Sequence, residues 1–210
     1  MANFGLSHPI IANYNAITGK YSNAIKCGKA MNTSVTPNYN EASLFADNGE
    51  DENVKELKNV SVELGVNTVP KEAVEVIFGH MVAEDGTETS NINDSGSYVG
   101  YGFIVAESNS GVKKYRACLL TKVKFKEGAE SYQTKGDSIV FSTPTLSGEA
   151  SGNNENDWRI KSPYFDTEKE CDAWILEQMG LSDQIETLYA KTETLKTTVN
   201  KADTSQATNK

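Results

Sequence analysis

The chain has 210 residues, a length typical of one domain with at most a small appendage. It carries 20 Lys and Arg against 29 Asp and Glu, which gives a formal net charge of −9. This acidity argues against a protein that grips nucleic acid through its phosphates, because that function needs a basic face. The sequence contains no run of about 18 apolar residues, so it predicts no helix that crosses a membrane.

The first residues, MANFGLSHPII, lack the basic and apolar regions of a signal peptide, so we expect a protein that starts in the cytoplasm. The cysteines Cys27, Cys118 and Cys171 are odd in number and far apart in the chain. Reduced, buried thiols therefore fit this chain better than a disulfide framework.

The first quarter of the chain is the least regular. Residues 1–30 are rich in Asn, Gly and Tyr and predict an irregular segment with short extended pieces. Residues 29–45 are extended, and Pro37 indicates an edge strand or a bulge because it has no amide donor. Residues 46–56 are polar and acidic, which predicts a solvated loop. The carboxylates of this run include Asp47, Glu50, Asp51 and Glu52.

The next residues carry clearer patterns. Residues 59–66 alternate between apolar and polar, which predicts a half-buried strand. Pro70 stands at a plausible first helical position, and the short amphipathic helix that follows ends at Gly79. Residues 84–97 are rich in Asp, Gly, Ser and Asn and predict a long connection with several turns.

Three strands are predicted in the second half, over residues 98–106, 112–126 and 136–146. The small polar residues of 147–157 predict a loop. Thr167 and Glu170 then have the spacing of a capping box, and the helix that they begin ends at Gly180.

The last thirty residues differ in character. Apolar residues at heptad-like spacing over 181–199 predict a weak amphipathic helix, and residues 201–210 are predicted to be disordered. We therefore divide the chain into a β-rich domain, 1–180, and a helical, partly disordered extension, 181–210.

No catalytic constellation is found. His8 precedes a proline and His80 follows the helix stop at Gly79, which favours a structural role for each. Cys118 lies in an apolar strand, where a buried thiol is ordinary. Residues 91–96 resemble a calcium loop only loosely, because the twelfth position is Gly102 and not a bidentate Glu. We expect a protein that is not an enzyme and that binds no cofactor or metal.

The lysines of residues 122–126 form the least ordinary charge pattern. Lys122, Lys124 and Lys126 alternate with Val123 and Phe125, so the three ammonium groups project from one face of one strand. Two interpretations stay open. The lysines protect a sheet edge or aid solubility, or they contact the acidic run of another copy in a head-to-tail assembly.

The order of several segments resembles the major tail protein (tail tube protein) family of long-tailed phages that infect Gram-positive bacteria. The resemblance extends from about Gly5 to Trp174. Its segments are GKYSNAIKCGKAM, PNYNEASLFADN, NVSVELGVNTVPKEAVEVIFGHMV, SYVGYGFIV, KKYRACLLTKVKF, SYQTKGDSIVFSTPTLSG, NDWRI and FDTEKECDAW. They are specific together and weak singly, and residues after Leu181 lie outside the pattern.

This resemblance implies a mainly β (α+β) fold, a β-sandwich or barrel with one or two flanking helices. It implies a structural virion protein whose hexameric rings stack into the tube through which DNA leaves the capsid. The implied partners are further copies of the chain and the tape-measure, tail-terminator and distal tail proteins, with DNA passing through unbound. The implied location is the virion tail, after assembly in the host cytoplasm.

The charged residues then acquire expected roles. The contact between rings would join the acidic run, with Asp47, Glu50, Asp51 and Glu52, to Lys122, Lys124 and Lys126. The candidates for acidic residues that line the bore are Glu41, Glu63 and Asp137, in or beside predicted strands. The alternative function is a non-enzymatic binding or accessory β-domain on a virion or cell surface.

Overall fold

A computed structural model describes residues 2–46, 49–109, 111–128, 134 and 143–189. Within these residues the strands are β1 Ala2–Asn15, β2 Lys20–Lys26, β3 Ala30–Ala46, β4 Gly49–Val66, β5 Met81–Val82, β6 Glu88–Thr89, β7 Val99–Asn109, β8 Val112–Lys126, β9 Thr145–Ser151 and β10 Arg159–Phe165. The helices are α1 Lys71–Phe78, α2 Glu168–Gln178, a 3-10 turn at Ser182–Gln184 and a helical segment over residues 185–189. The predicted mainly β class is confirmed.

Eight of these strands form one antiparallel sheet in the order β2-β1-β7-β8-β9-β4-β3, with β10 also paired to β8. The two remaining strands, β5 and β6, pair only with each other. β10 pairs with β8 over residues 115–120, and β9 pairs with it over residues 122–126. The predicted strand 112–126 therefore has the bounds of β8 and lies in the middle of the sheet.

The sheet curls around an apolar core. Ile25 on β2 and Val62 on β4 belong to one buried cluster, although five strand spacings separate their strands in the sheet order. A flat sheet would hold strands five spacings apart about 24 Å from each other. The two halves of the sheet therefore face each other, as in a sandwich or an open barrel. The buried aromatic residues of this core are Tyr101, Phe103 and Phe125.

Helix α2 covers the outer face of β1, β7 and β8 and encloses a second apolar cluster. Ile175 and Leu176 of the helix pack there against Ile104 and Leu119 of the sheet. The predicted capping box is present at the start of the helix: the backbone N–H of Thr167 donates to Glu170 at 3.0 Å, and the Thr167 hydroxyl accepts from the Glu170 N–H.

Helix α1 also follows its prediction, with Pro70 one residue earlier than expected, at the N-cap. Its end at Gly79 has φ +79°, a left-handed conformation that favours glycine. Gly96 lies against this helix so closely that an added Cβ would be 1.7 Å from the Ile77 carbonyl oxygen. Glycine at position 96 therefore allows the close approach of two backbones.

The prediction of an irregular segment over residues 1–30 is wrong, because β1 and β2 occupy most of it. Ile10 and Ala12 of β1 face helix α2, whereas Ile11 faces the core inside the sheet. A strand that is buried on both faces shows no alternation of polar and apolar residues. The pattern that marks a half-buried strand is therefore missing here.

Two predicted loops are also strands. Residues 147–151 belong to β9, where Leu146, Gly148 and Ala150 are buried and Glu149 is exposed. Its small residues conceal the alternation. Residues 49–56 belong to β4 and pair with β3. Both faces of that stretch are exposed wherever side chains are described, so pairing of the backbone needs no apolar pattern. Most of the predicted strand 136–146 lies outside the described residues.

The chain continues to pack after α2. Leu181 and Leu188 are buried in the cluster that α2 encloses, and residues 185–189 are helical. The predicted disorder of 201–210 and most of the helix predicted over 181–199 lie outside the described residues. Among the described helices, none combines the length and the apolarity that a membrane crossing requires.

The contact between β7 and α2 gives a test of the fold. A Cβ at Gly102 would lie 2.6 Å from Cγ2 of Ile175. We expect Gly102→Ala to lower the free energy of unfolding by about 1–3 kcal/mol, because the helix has to shift outward. Urea unfolding measures the change. Glu177→Ala, on the exposed side of α2, is the control and should change stability by about 0.5 kcal/mol or less; equal effects of the two variants would contradict the packing.

Candidate interaction surface

The β3–β4 hairpin continues far beyond the sheet. β9 pairs with β4 only over Val60–Gly65, whereas β3 and β4 pair with each other as far as Ala46 and Gly49. We call residues 39–46 and 49–57 the arm. Gly49 is eleven residues beyond Val60, so the arm extends about 36 Å past the last contact with β9.

The arm exposes apolar side chains on both of its faces. Tyr39 lies opposite Leu57, and their exposed fractions are 55% and 39%. Leu44 and Val54 are 57% and 46% exposed. A two-stranded ribbon by itself has marginal stability in water. Apolar residues at these positions are therefore better explained by a contact with another molecule than by the stability of the hairpin.

The predicted acidic residues lie in this arm. Glu41 forms an exposed ion pair with Lys55, with 2.7 Å between Oε1 and Nζ; such a pair contributes about 1 kcal/mol or less. Glu50, Asp51 and Glu52 belong to β4 near the tip. Asp47 lies outside the described residues. The acidic run is thus carried on a strand and not, as predicted, on a loop.

Lys122, Lys124 and Lys126 project from one face of β8, since Val123 and Phe125 between them are buried. The interpretation that they protect a sheet edge fails for Lys122, because β8 lies between β7 and β9 there. Lys124 and Lys126 lie past Val123, where the pairing with β7 ends, and are paired on the β9 side. Their ammonium groups lie beside an exposed ring: Nζ of Lys122 is 4.7 Å and that of Lys124 is 5.5 Å from the centroid of Tyr98. We call these three residues the lysine stripe.

The face that carries the lysine stripe also carries acidic residues. Glu149 of β9 lies directly opposite Lys124, and Glu63 of β4 lies opposite Ser147, the partner of Lys126. Directly opposed residues of an antiparallel pair share one face. The face therefore has mixed charge, and Glu63 is less isolated than its sequence suggests. Asp137 lies outside the described residues.

The structure separates the acidic run from the lysine stripe within one copy. Val60 and Val123 are level with each other, because both pair with Ala150. Glu52 is eight residues further along β4, about 26 Å away in extended conformation. A contact between the acidic run and the lysine stripe therefore requires two copies of the chain.

The sheet has two terminal strands, β2 and β3. No strand of the described residues pairs with the outer side of either one, although the Ala24 N–H of β2 donates to Gln184 there. The prediction from Pro37 is confirmed, since β3 is an edge strand. Open edges are templates for pairing with another chain. The sequence did not predict the exposed apolar residues of the arm or the sheet edge at β2.

The polar cluster around Asp172 has a structural role. Asp172 is 1% exposed, and its Oδ2 lies 2.7 Å from Nδ1 of His8 and accepts a hydrogen bond from Tyr189. Burial, and then this hydrogen bond, raise the pKa of Tyr189. The nearby Ser7 hydroxyl donates to Glu168, at 2.8 Å, and not to His8. The cluster thus joins β1, α2 and residues 185–189 through hydrogen bonds.

Neither a search with protein-family models nor a search of curated proteins finds a match to this chain. The parts of the candidate surface are an exposed arm with an acidic tip, a lysine stripe on a mixed-charge face, and two sheet edges. All three are suited to binding a macromolecule.

The three cysteines give a test of the non-catalytic interpretation. All are buried, and burial raises the pKa of Cys118 to about 11 and those of Cys27 and Cys171 to about 12. At pH 8 a thiol with a pKa near 11 is only about 0.1% thiolate. We expect slow reaction with Ellman's reagent when the protein is folded, and three fast thiols in guanidinium. A Ser182→Cys variant is the exposed control; a native thiol as fast as this control would contradict the prediction.

Proposed function

We propose that this protein is a structural subunit that assembles into stacked rings, the tail tube of a long-tailed phage. The arm is the observation that carries the proposal. It extends about 36 Å beyond the sheet and exposes Tyr39, Leu44, Val54 and Leu57. A long ribbon of this kind contributes little to the stability of its own domain, and its length suits it to reach a neighbouring copy.

The two sheet edges support ring formation. Pairing the outer side of β2 in one copy with the outer side of β3 in the next gives a heterologous contact, because the two surfaces differ. On β2 the added strand would replace Gln184, whose side chain accepts from the Ala24 N–H. Heterologous contacts close into a ring when the rotation between copies divides the circle evenly. Six copies per ring is the number that the resemblance to tail tube proteins implies.

The arm supports stacking of the rings. Its four apolar side chains are about half exposed, so burying them contributes about 3–6 kcal/mol. Association costs about 4–15 kcal/mol in lost freedom of motion, so one arm alone is not sufficient. A ring presents several arms at once, and only the first contact carries that full cost. Rings should therefore form before they stack.

Charge supports the passage of DNA. A net charge of −9 repels the phosphate backbone, so that DNA can slide without binding. Glu41, Glu63 and Asp137 are the proposed bore residues, and Glu63 projects from the face that carries the lysine stripe.

The acidic tip of the arm would meet the lysine stripe of the adjacent ring. The proposal includes the tape-measure, tail-terminator and distal tail proteins as partners, and the virion tail as the location.

Electron microscopy of the purified full-length chain tests the proposal. Rings and tubes are expected at high protein concentration. A protein that stays monomeric in every salt and concentration condition, and is absent from virion tails, would contradict it. That result would favour the alternative of an accessory binding domain.

The apolar residues of the arm are predicted to be needed for assembly. The variant Y39S/L57S should form folded monomers, because both side chains are already exposed, and should form no tubes. Circular dichroism and sedimentation check the monomer, and electron microscopy counts the tubes. The control I17S/I92S changes two apolar residues that are 92% and 99% exposed elsewhere and should assemble normally. Tubes of normal length from Y39S/L57S would rule out this role.

The lysine stripe is predicted to be needed for elongation. The variant K122E/K124E/K126E should fold and form rings but should not stack, because the acidic tip of the arm is repelled. Each change removes two charge units, so the net charge falls from −9 to −15. The control K71E/K161E/K169E has the same net charge and alters exposed lysines outside the stripe. Light scattering follows elongation, and equal rates for the two variants would refute the contact.

A further inference from the structure

A second charged cluster lies at the end of α1, beside Lys124 and Lys126 of the lysine stripe. Its centre is His80, which is 7% exposed and whose ring lies 5.4 Å from that of Phe78, centroid to centroid. Two carboxylates lie beside its ring nitrogens, one from Glu88 of β6 and one from Glu127, which directly follows β8. One ligand atom from each of the three residues lies within 4.8 Å of the others.

One side of the imidazole ring has hydrogen-bond partners. Nδ1 of His80 lies 2.9 Å from Oε1 of Glu88 and 3.3 Å from the Ser90 hydroxyl. A carboxylate can only accept, so Nδ1 carries the proton and donates to Glu88. In the neutral ring this leaves the lone pair on Nε2. Histidines that bind metals have this arrangement, in which the other ring N–H donates to a carboxylate.

The other side of the ring faces a second carboxylate at a different distance. Nε2 of His80 is 3.4 Å from Oε1 of Glu127. N–H···O hydrogen bonds span about 2.7–3.2 Å, so this separation is long for one. Two ligands that are each about 2.1 Å from a tetrahedral zinc ion lie about 3.4 Å apart. Two electron-pair donors at this distance suit a cation between them.

We propose that His80 and Glu127 bind a divalent transition metal of the zinc class, with Glu88 orienting the imidazole. A mixed imidazole and carboxylate set suits such ions, whereas calcium and magnesium prefer oxygen ligands alone. The groove that both His80 and Glu127 line has a volume of about 560 Å³ and is open, so water reaches the ion and completes its coordination.

The groove that His80 and Glu127 share carries both signs of charge. Asp94 and Glu127 line it together with Lys124 and Lys126, while Glu75 lines the neighbouring groove at His80. The bound ion would tie the β5–β6 hairpin to the end of β8. These segments are distant in the chain, so the ion would stabilise the folded state, in which alone the ligands meet.

Zinc titration of the metal-stripped full-length chain tests the site. Calorimetry should give saturable binding of one ion per chain. Glu127 is exposed, so Glu127→Gln should fold normally and bind zinc at least about tenfold more weakly. Glu88→Gln should lower the affinity for zinc by about 10–100-fold. The matched control Glu155→Gln, in an exposed turn, should leave the affinity unchanged within twofold.

The ¹⁵N signals of the imidazole rings identify the ligand atom. The chain has two histidines, and the pair of ring ¹⁵N signals that changes in Glu88→Gln belongs to His80. Zinc should shift its Nε2 signal while Nδ1 stays protonated. Three results would overturn the proposal: no saturable binding, equal affinities of Glu127→Gln and Glu155→Gln, or two protonated nitrogens that zinc does not displace. The last result would make His80 an imidazolium that bridges two carboxylates.

Discussion

The fold depends on the pairing of β8, because three other strands share its two edges. β7 follows one edge, while β10 and then β9 occupy successive halves of the other. The sheet therefore divides at about Thr121. Helix α2 covers the outer face of the first half, and no helix of the described residues covers the outer face of the second half. That second face carries the lysine stripe and continues through β9 and β4 toward the arm, so the placement of the surface follows from this division.

Sequence predicted the elements in which one face alone is buried. Apolar and polar residues alternate from Val60 to Val66 because the other face of β4 is exposed to solvent there. The bounds of β8 and the capping box of α2 were also predicted from residues that are close together in the sequence. β1 was missed because Ile10 and Ile11 are buried on opposite faces. The strand that holds the acidic run was missed because Asp, Glu and Asn disfavour strands in general, although pairing with β3 supplies backbone hydrogen bonds along one side of it.

The candidate surface was predictable only in part, because some of its contacts join residues that are distant in the sequence. The spacing of Lys122, Lys124 and Lys126 fixed their common face without any knowledge of the neighbouring strands. Their acidic neighbour Glu149 could not be found, because the register between β8 and β9 is set by core packing. The meeting of His80 with Glu127 was hidden for the same reason, since residues 47 positions apart come together only after the sheet has formed.

The ladder between β3 and β4 has a bulge at the root of the arm, between Asn38 and Tyr39, where the pairing slips past Lys58. A bulge bends its strand and increases the local right-handed twist, so it fixes the direction in which the hairpin leaves the sheet. Every copy of the chain has the same bulge and sends its arm out at the same angle. If rings stack through these arms, each ring is turned by one constant angle relative to the ring below. The stack then has a screw axis whose rotation depends on this bulge and on the second register shift of the arm, between Leu44 and Phe45.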